Sequence, residues 1–133
     1  MNPFNFKDLP DLLYNTHMLV LRPFFERQTL GITADASDLV SINFLETSER
    51  EVIQIVNLFE GKIKEAAREY SPAVIANYVY EVAKEYNQFY QSIPIFNETD
   101  KAKLKFRIAL SNAVATVIKK GMHLLGIDVP ERM

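Results

Sequence analysis

Few residues in this 133-residue chain have the types and spacing that bond-making chemistry needs. Glu65 and Glu69, and again Glu81 and Glu85, stand one helical turn apart, as a general acid and its base would. Faces rich in Glu and Lys produce that spacing routinely, so the pairs are read as solvated ones. The two histidines, His17 and His123, have no glutamate three residues before them, and the chain has no cysteine. Neither a Glu-x-x-His di-metal site nor a thiolate metal site is therefore encoded, and no glycine-rich phosphate loop occurs. The catalytic set and the metal set are both empty. What remains is binding chemistry. Asn77, Tyr78, Tyr80, Asn87 and Tyr90 gather within one short stretch, and Lys101, Lys103, Lys105, Lys119 and Lys120 follow. Rings that stack on bases and amides that read their edges are how single-stranded RNA is held, each stacked base contributing roughly 1–3 kcal/mol. Lysines supply the sequence-independent hold on phosphate.

A helix must space those residues, and Ser71 to Gln91 predicts one. Ser71 suits the N-cap and Pro72 the first helical position, where its missing donor is not needed. At 100° per residue Ile75, Val79, Val82, Tyr86 and Phe89 share a face that should be buried, while Asn77, Glu81, Lys84 and Gln88 face away. Ala76, Tyr80, Ala83 and Asn87 fall on the border between them. The plainer reading of this pattern is an amphipathic helix with half-buried tyrosines.

The elements around it follow from the same rules. Residues 1–7 read as an irregular entry segment, and a helix is predicted from Asp8 or Pro10 to about Arg27, kinked or ended near Pro23. Residues 28–47 read as a long connection, with Gly31 ending the helix. Ser48 and Glu51 fit a capping box, opening one helix whose stripe Val52, Val56, Phe59, Ile63, Ala66 and Tyr70 should be buried. Gly61 inside it suggests a close packing contact or a slight bend. The short break at Tyr70–Ser71 makes its neighbour antiparallel. Pro94 separates the central helix from the last, which Thr99 should cap and Asp100 favour at its positive end. From Lys101 to Leu125 the apolar arc covers more than half the circumference, leaving a polar strip of Lys105, Asn112, Thr116, Lys119 and His123. Arg107 and Ser111 interrupt the apolar side, and a guanidinium there needs a carboxylate, a helix end or a phosphate. Gly126 should end that helix, with an extended tail to Met133. The fold class is therefore all-α, an antiparallel bundle of four main helices with a long connection after the first. Residues 1–46 and 47–133 together form one compact domain.

Composition agrees with a globular protein, at 48% apolar and 24% charged residues. Neither a signal peptide nor a membrane span is evident, which suggests a cytoplasmic protein. The net charge of −2 appears adverse to a nucleic-acid partner. Yet between Thr99 and Leu125 positive charges exceed Asp100, the one acid, by five. Local field, not total charge, governs association with phosphates.

Residue order adds a family. Ala76-Asn77-Tyr78, Asn87-Gln88-Phe89-Tyr90, Arg107-Ile108-Ala109-Leu110, Gly121 through Ile127 and Pro130-Glu131-Arg132-Met133 together resemble the anticodon-binding (DALR-type) helical domain of arginyl-tRNA synthetase, a class I enzyme. The likeness covers about residues 49–133. It implies Ala76, Asn77, Tyr78, Asn87, Tyr90 and Met133 at the RNA site, beside Tyr80, Lys105 and Lys119 from the residue reading. It implies arginine tRNA as partner, through an anticodon loop whose cytosine is a main identity element, and the catalytic domain of the same polypeptide, with no membrane. The two adenylation signatures of class I synthetases are missing. This chain alone would bind tRNA without charging it and carry no cofactor, ATP and magnesium belonging to the absent catalytic domain. Two further readings stay open, a helical protein-interaction module and the related domain of a glycyl or cysteinyl synthetase.

Overall fold

The computed structural model describes residues 45–93, 95 and 97–129. The helix predicted before Arg27, with His17 and Pro23, lies outside them, as do most of the long connection and residues 130–133. All regular structure among the described residues is helical: α1 spans Thr47–Asn57, α2 Phe59–Glu69, α3 Pro72–Ser92 and α4 Lys101–Leu124.

α1 and α2 replace the single helix expected from Ser48 to Tyr70. The cap sits at Glu46 rather than Ser48, its backbone N–H donating to Glu49 Oε2 at 2.9 Å. The break falls at Leu58, three residues before Gly61, which has open space where a Cβ would be. A broken helix leaves carbonyls without donors. Here the Tyr78 hydroxyl, from α3, donates to Ile55 O at 2.6 Å and Val56 O at 3.3 Å, closing the end of α1. Past this elbow the stripe lies along the edge of the core: Val52 is buried, Phe59, Ile63 and Ala66 are half-buried against it, and Tyr70 is 94% exposed. Tyr70 also adopts the left-handed conformation (φ 50°) and closes α2, with Ser71 N–H bonded back to Ala66 O. Glycine normally takes that place.

α3 is the central element and packs against all three other helices. Ser71 stands at its N-cap and Pro72 at its first position as the sequence indicates, although the Ser71 side chain makes no capping bond, and Ile75, Val79, Val82, Tyr86 and Phe89 are all buried. On α4 the buried set adds Phe106 to Ile108, Leu110, Val114, Val117, Ile118 and Met122. Asp100, not Thr99, caps α4, its Oδ1 accepting from Ala102 N at 2.9 Å. Two contacts set the pairing of α3 with α4. Tyr86 hydroxyl donates to Ser111 Oγ at 3.0 Å, and a Cβ on Gly121 would lie 2.6 Å from Val79 Cγ2. Going back along α3 from Tyr86 to Val79 means going forward along α4, so the two are antiparallel. Gly121 lets them approach. Gly126, at φ 77°, ends the last turn.

Candidate nucleic-acid interface

The register of α3 on α4 sorts the predicted RNA-binding residues by level. Asn77 and Tyr80 stand near Lys119 at one end of the pair; Asn87 and Tyr90 stand toward Lys105 at the other. Ten residues of helix, about 15 Å, separate the levels of Asn77 and Asn87. Met133 lies outside the described residues.

At the first end the structure corrects two assignments. Ala76 is 1% and Tyr78 4% exposed, so neither offers a face to a base. For Tyr78 the reason is the elbow at Leu58, which takes its hydroxyl as a cap; Ala76 is on the other side of α3, in line with the buried Ala83. The Tyr78 ring stacks on Phe59 with centroids 5.9 Å apart, and burial pushes the phenol up to about 12. Asn77 remains exposed, on a cleft of about 300 Å³ shared with Leu58, Lys62, Glu65 and Glu81. Lys62 pairs with Glu65 there at 3.1 Å, which leaves the Glu81 carboxylate to disfavour a phosphate strand. Tyr80 is half-buried and Lys119 exposed.

The second end has the polar atom that calls for explanation. Asn87 is half-buried, and its Oδ1 is enclosed without any hydrogen-bond partner. Buried polar atoms are seldom left so, because each unmade bond costs about 1–3 kcal/mol. Tyr90, one turn on, is half-buried against Tyr86 with centroids 6.3 Å apart. Tyr86 itself belongs to the fold: burial pushes its phenol far up, partly offset by the bond to Ser111. Lys101 and Lys105, in the first turns of α4, are exposed.

Arg107 finds carboxylates, not phosphate. Its Nε donates to Glu49 Oε1 at 2.8 Å, with both side chains 4% exposed, and its Nη1 to Glu98 Oε2 at 3.0 Å. The other Glu98 oxygen accepts from Asp100 N at 3.1 Å. That bond, with the cations of Arg107 and Lys103, holds the Glu98 carboxyl below the usual carboxylate range. Ser111 Oγ, besides meeting Tyr86, donates to Arg107 O at 2.9 Å. One arginine thus ties together the start of α1, the entry to α4 and the core of α3.

Sequence reasoning missed a groove of about 870 Å³. Phe59 and Ile63 of α2, Thr116, Lys119, Lys120, His123 and Leu124 of α4, and Ile127 to Val129 line it. Of its polar rim, Lys119 and His123 were legible in the strip on α4, and Lys120 was not part of that strip. Its floor was not legible, because an unbroken helix would have buried Phe59 and Ile63. Among the described residues no cluster fits a metal ion, and no helix is long and apolar enough to cross a membrane.

Comparison with known proteins matches residues 25–133 to a family described as the DALR anticodon binding domain. Among relatives, the arginine–tRNA ligase of Flavobacterium psychrophilum is 40% identical over 131 residues, covering 98% of this chain and 22% of that protein. That of Bacteroides thetaiotaomicron is 52% identical over 91 residues, 67% of this chain and 15% of that protein. Among solved structures, Thermus thermophilus arginyl-tRNA synthetase superposes with a TM-score of 0.73 at 25% identity, over 90% of this chain and 21% of that one. The chain thus spans about a fifth of the length of the full-span relatives it matches. The matched stretch begins at residue 25, ahead of about residue 49, where the resemblance read from the sequence begins.

Proposed function

The chain belongs to the DALR anticodon binding domain family, and from that premise we propose that it binds the anticodon loop of arginine tRNA as part of an arginine–tRNA ligase. The observation that carries the reading is the family match over residues 25–133 together with arginine–tRNA ligases that align along 98% of the chain. Adenylation, with its ATP and magnesium, belongs to the remainder of the longer polypeptide, and the cytoplasm is where such an enzyme would act.

The geometry favours one end of the bundle for reading the loop. Asn87 presents a half-buried amide, Tyr90 presents part of a ring, and Lys105 a cation. A base edge would bond the part of the amide that stays open while its face rests on the phenol. Asn77, Tyr80, Lys119 and Met133 are secondary contacts in this reading, Tyr78 acts by holding α3 against the elbow, and Ala76 is packed within the bundle. Filter binding tests it with two transcripts, arginine tRNA and the same tRNA with a changed anticodon. Tighter binding of the first is the expected result; equal affinity at low salt would remove the specificity claim.

A second reading, protein docking, draws on the groove between α2 and α4. Its floor of Phe59, Ile63, Leu124, Ile127 and Val129 is largely aliphatic. Such a floor suits protein side chains, and the catalytic part of the same polypeptide is the natural occupant. The two readings use different surfaces and are compatible.

A further inference from the structure

Glu98 is an acid placed where a phosphate-binding surface should not have one, directly ahead of Lys101, Lys103 and Lys105. Its surroundings are those of a fastened group. One oxygen meets Arg107 Nη1 at 3.0 Å and the other the Asp100 backbone N–H at 3.1 Å. Asp100 in turn caps α4 through Ala102 N and accepts from Leu104 N, so the order of the first turn runs back to this carboxylate. Arg107 is itself fixed by Glu49 Oε1 at 2.8 Å. Its guanidinium therefore does two things at once: it anchors Glu98 to the bundle and offsets a negative charge that would otherwise repel RNA.

We propose that Glu98, clamped between Arg107 and the Asp100 N–H, is a positioning residue for RNA binding, fixing the first turn of α4 so that Lys101 and Lys105 are held at the end of the bundle where Asn87 and Tyr90 lie. The inference rests on the tRNA-binding reading above and adds to it a residue that touches no RNA. A carboxylate that merely sat in solvent beside a phosphate path would oppose binding, and its removal would tighten the complex. A clamp has the opposite sign.

The test is E98A, with E98Q as the variant that keeps the shape and loses the charge, each in the full chain. Both are measured against the two transcripts over a range of salt. E98A should weaken binding of both transcripts about fivefold, the scale of one lost hydrogen bond, and spare the ratio between them, because the lysines it places hold phosphate without reading it. The slope of affinity against salt should not change, because no lysine is removed. Amide hydrogen exchange at Ala102 and Leu104, neither of which bonds to Glu98 directly, should quicken about tenfold as their local opening becomes easier. E98Q should fall between parent and E98A. A purely structural role would lower the melting temperature and leave the affinity for both transcripts unchanged, which would overturn the proposal. Tighter binding of both transcripts, or unchanged exchange at those two amides, would overturn the proposal while leaving the tRNA reading in place. A parent chain that binds neither transcript would instead sink the tRNA reading and the functional half of this proposal, and exchange would still decide whether Glu98 holds the turn.

Discussion

At the scale of single residues, the structure separates tyrosines and amides that serve the fold from those available to a ligand. Tyr78 was placed at the RNA site by its motif, yet its hydroxyl closes the end of α1. Tyr78→Phe should cost about 1 kcal/mol, the worth of a typical intramolecular hydrogen bond, seen as a lower urea midpoint at pH 7. The phenol also predicts a response to alkali. With its folded value up to about 12 against 10.0 unfolded, the folded state keeps a proton that the unfolded state gives up. The stabilisation is fully present below pH 10 and is lost as pH rises from 10 toward 12. Tyr86, shifted in the same direction, adds to that loss. Urea midpoints should thus hold steady from pH 7 to 9 and fall above 10, and Tyr78→Phe should lessen the fall without abolishing it. Asn87 makes the contrasting case. Because its Oδ1 has no partner to lose, Asn87→Ala should change the melting temperature little. The same change should weaken cognate tRNA several-fold more than the anticodon-altered transcript, as loss of an edge contact does. A large loss of stability with an unchanged binding ratio would make Asn87 a residue of the fold.

At the scale of elements, what could be read in advance was whatever depends on near neighbours in sequence. The start of α3 at Ser71–Pro72, its buried face, the polar strip of α4 and the stop at Gly126 all follow from local pattern and appear as predicted. The elbow at Leu58 does not, because what stabilises it is a hydroxyl from Tyr78, 22 and 23 residues away from the carbonyls it meets. The Arg107 clamp was legible only as a need. A buried guanidinium requires a counter-charge, but nothing in the spacing pointed to Glu49, 58 residues earlier. The glycines reversed in importance for a similar reason. Gly61, read as a close packing contact or a bend, has open space where a Cβ would be, whereas a Cβ on Gly121 would collide with Val79 across the contact of α3 with α4. A methyl group there would meet the stiff, buried Val79, so Gly121→Ala should destabilise by about 1–3 kcal/mol, the usual cost of overpacking. Adding Val79→Ala should recover part of that loss in thermal melts, since the two residues share one contact. Full additivity of the two changes would show that the close approach is not what Gly121 provides.

At the scale of the whole molecule, an acidic chain is asked to hold a polyanion, and the arrangement of charge makes that consistent. The excess of positive charge lies on α4, while Glu49 and Glu98, which would oppose it, are joined to Arg107. Lys105 and Lys119 are both exposed on one strip of that helix, about 21 Å apart at 1.5 Å per residue. Contacts with phosphate position RNA without reading it. Lys105→Ala and Lys119→Ala should therefore each weaken cognate and altered transcripts by the same factor, and each should flatten the dependence of log affinity on log salt by about 0.7–0.9. At that separation the double variant should show the sum of the two effects. The contrast with Asn87→Ala is the informative part, because the lysines should change the slope and spare the ratio while the amide should change the ratio and spare the slope. If a lysine variant altered the ratio as strongly as Asn87→Ala, reading and phosphate binding would not be divided between α3 and α4, and the loop would have to lie across both helices at once.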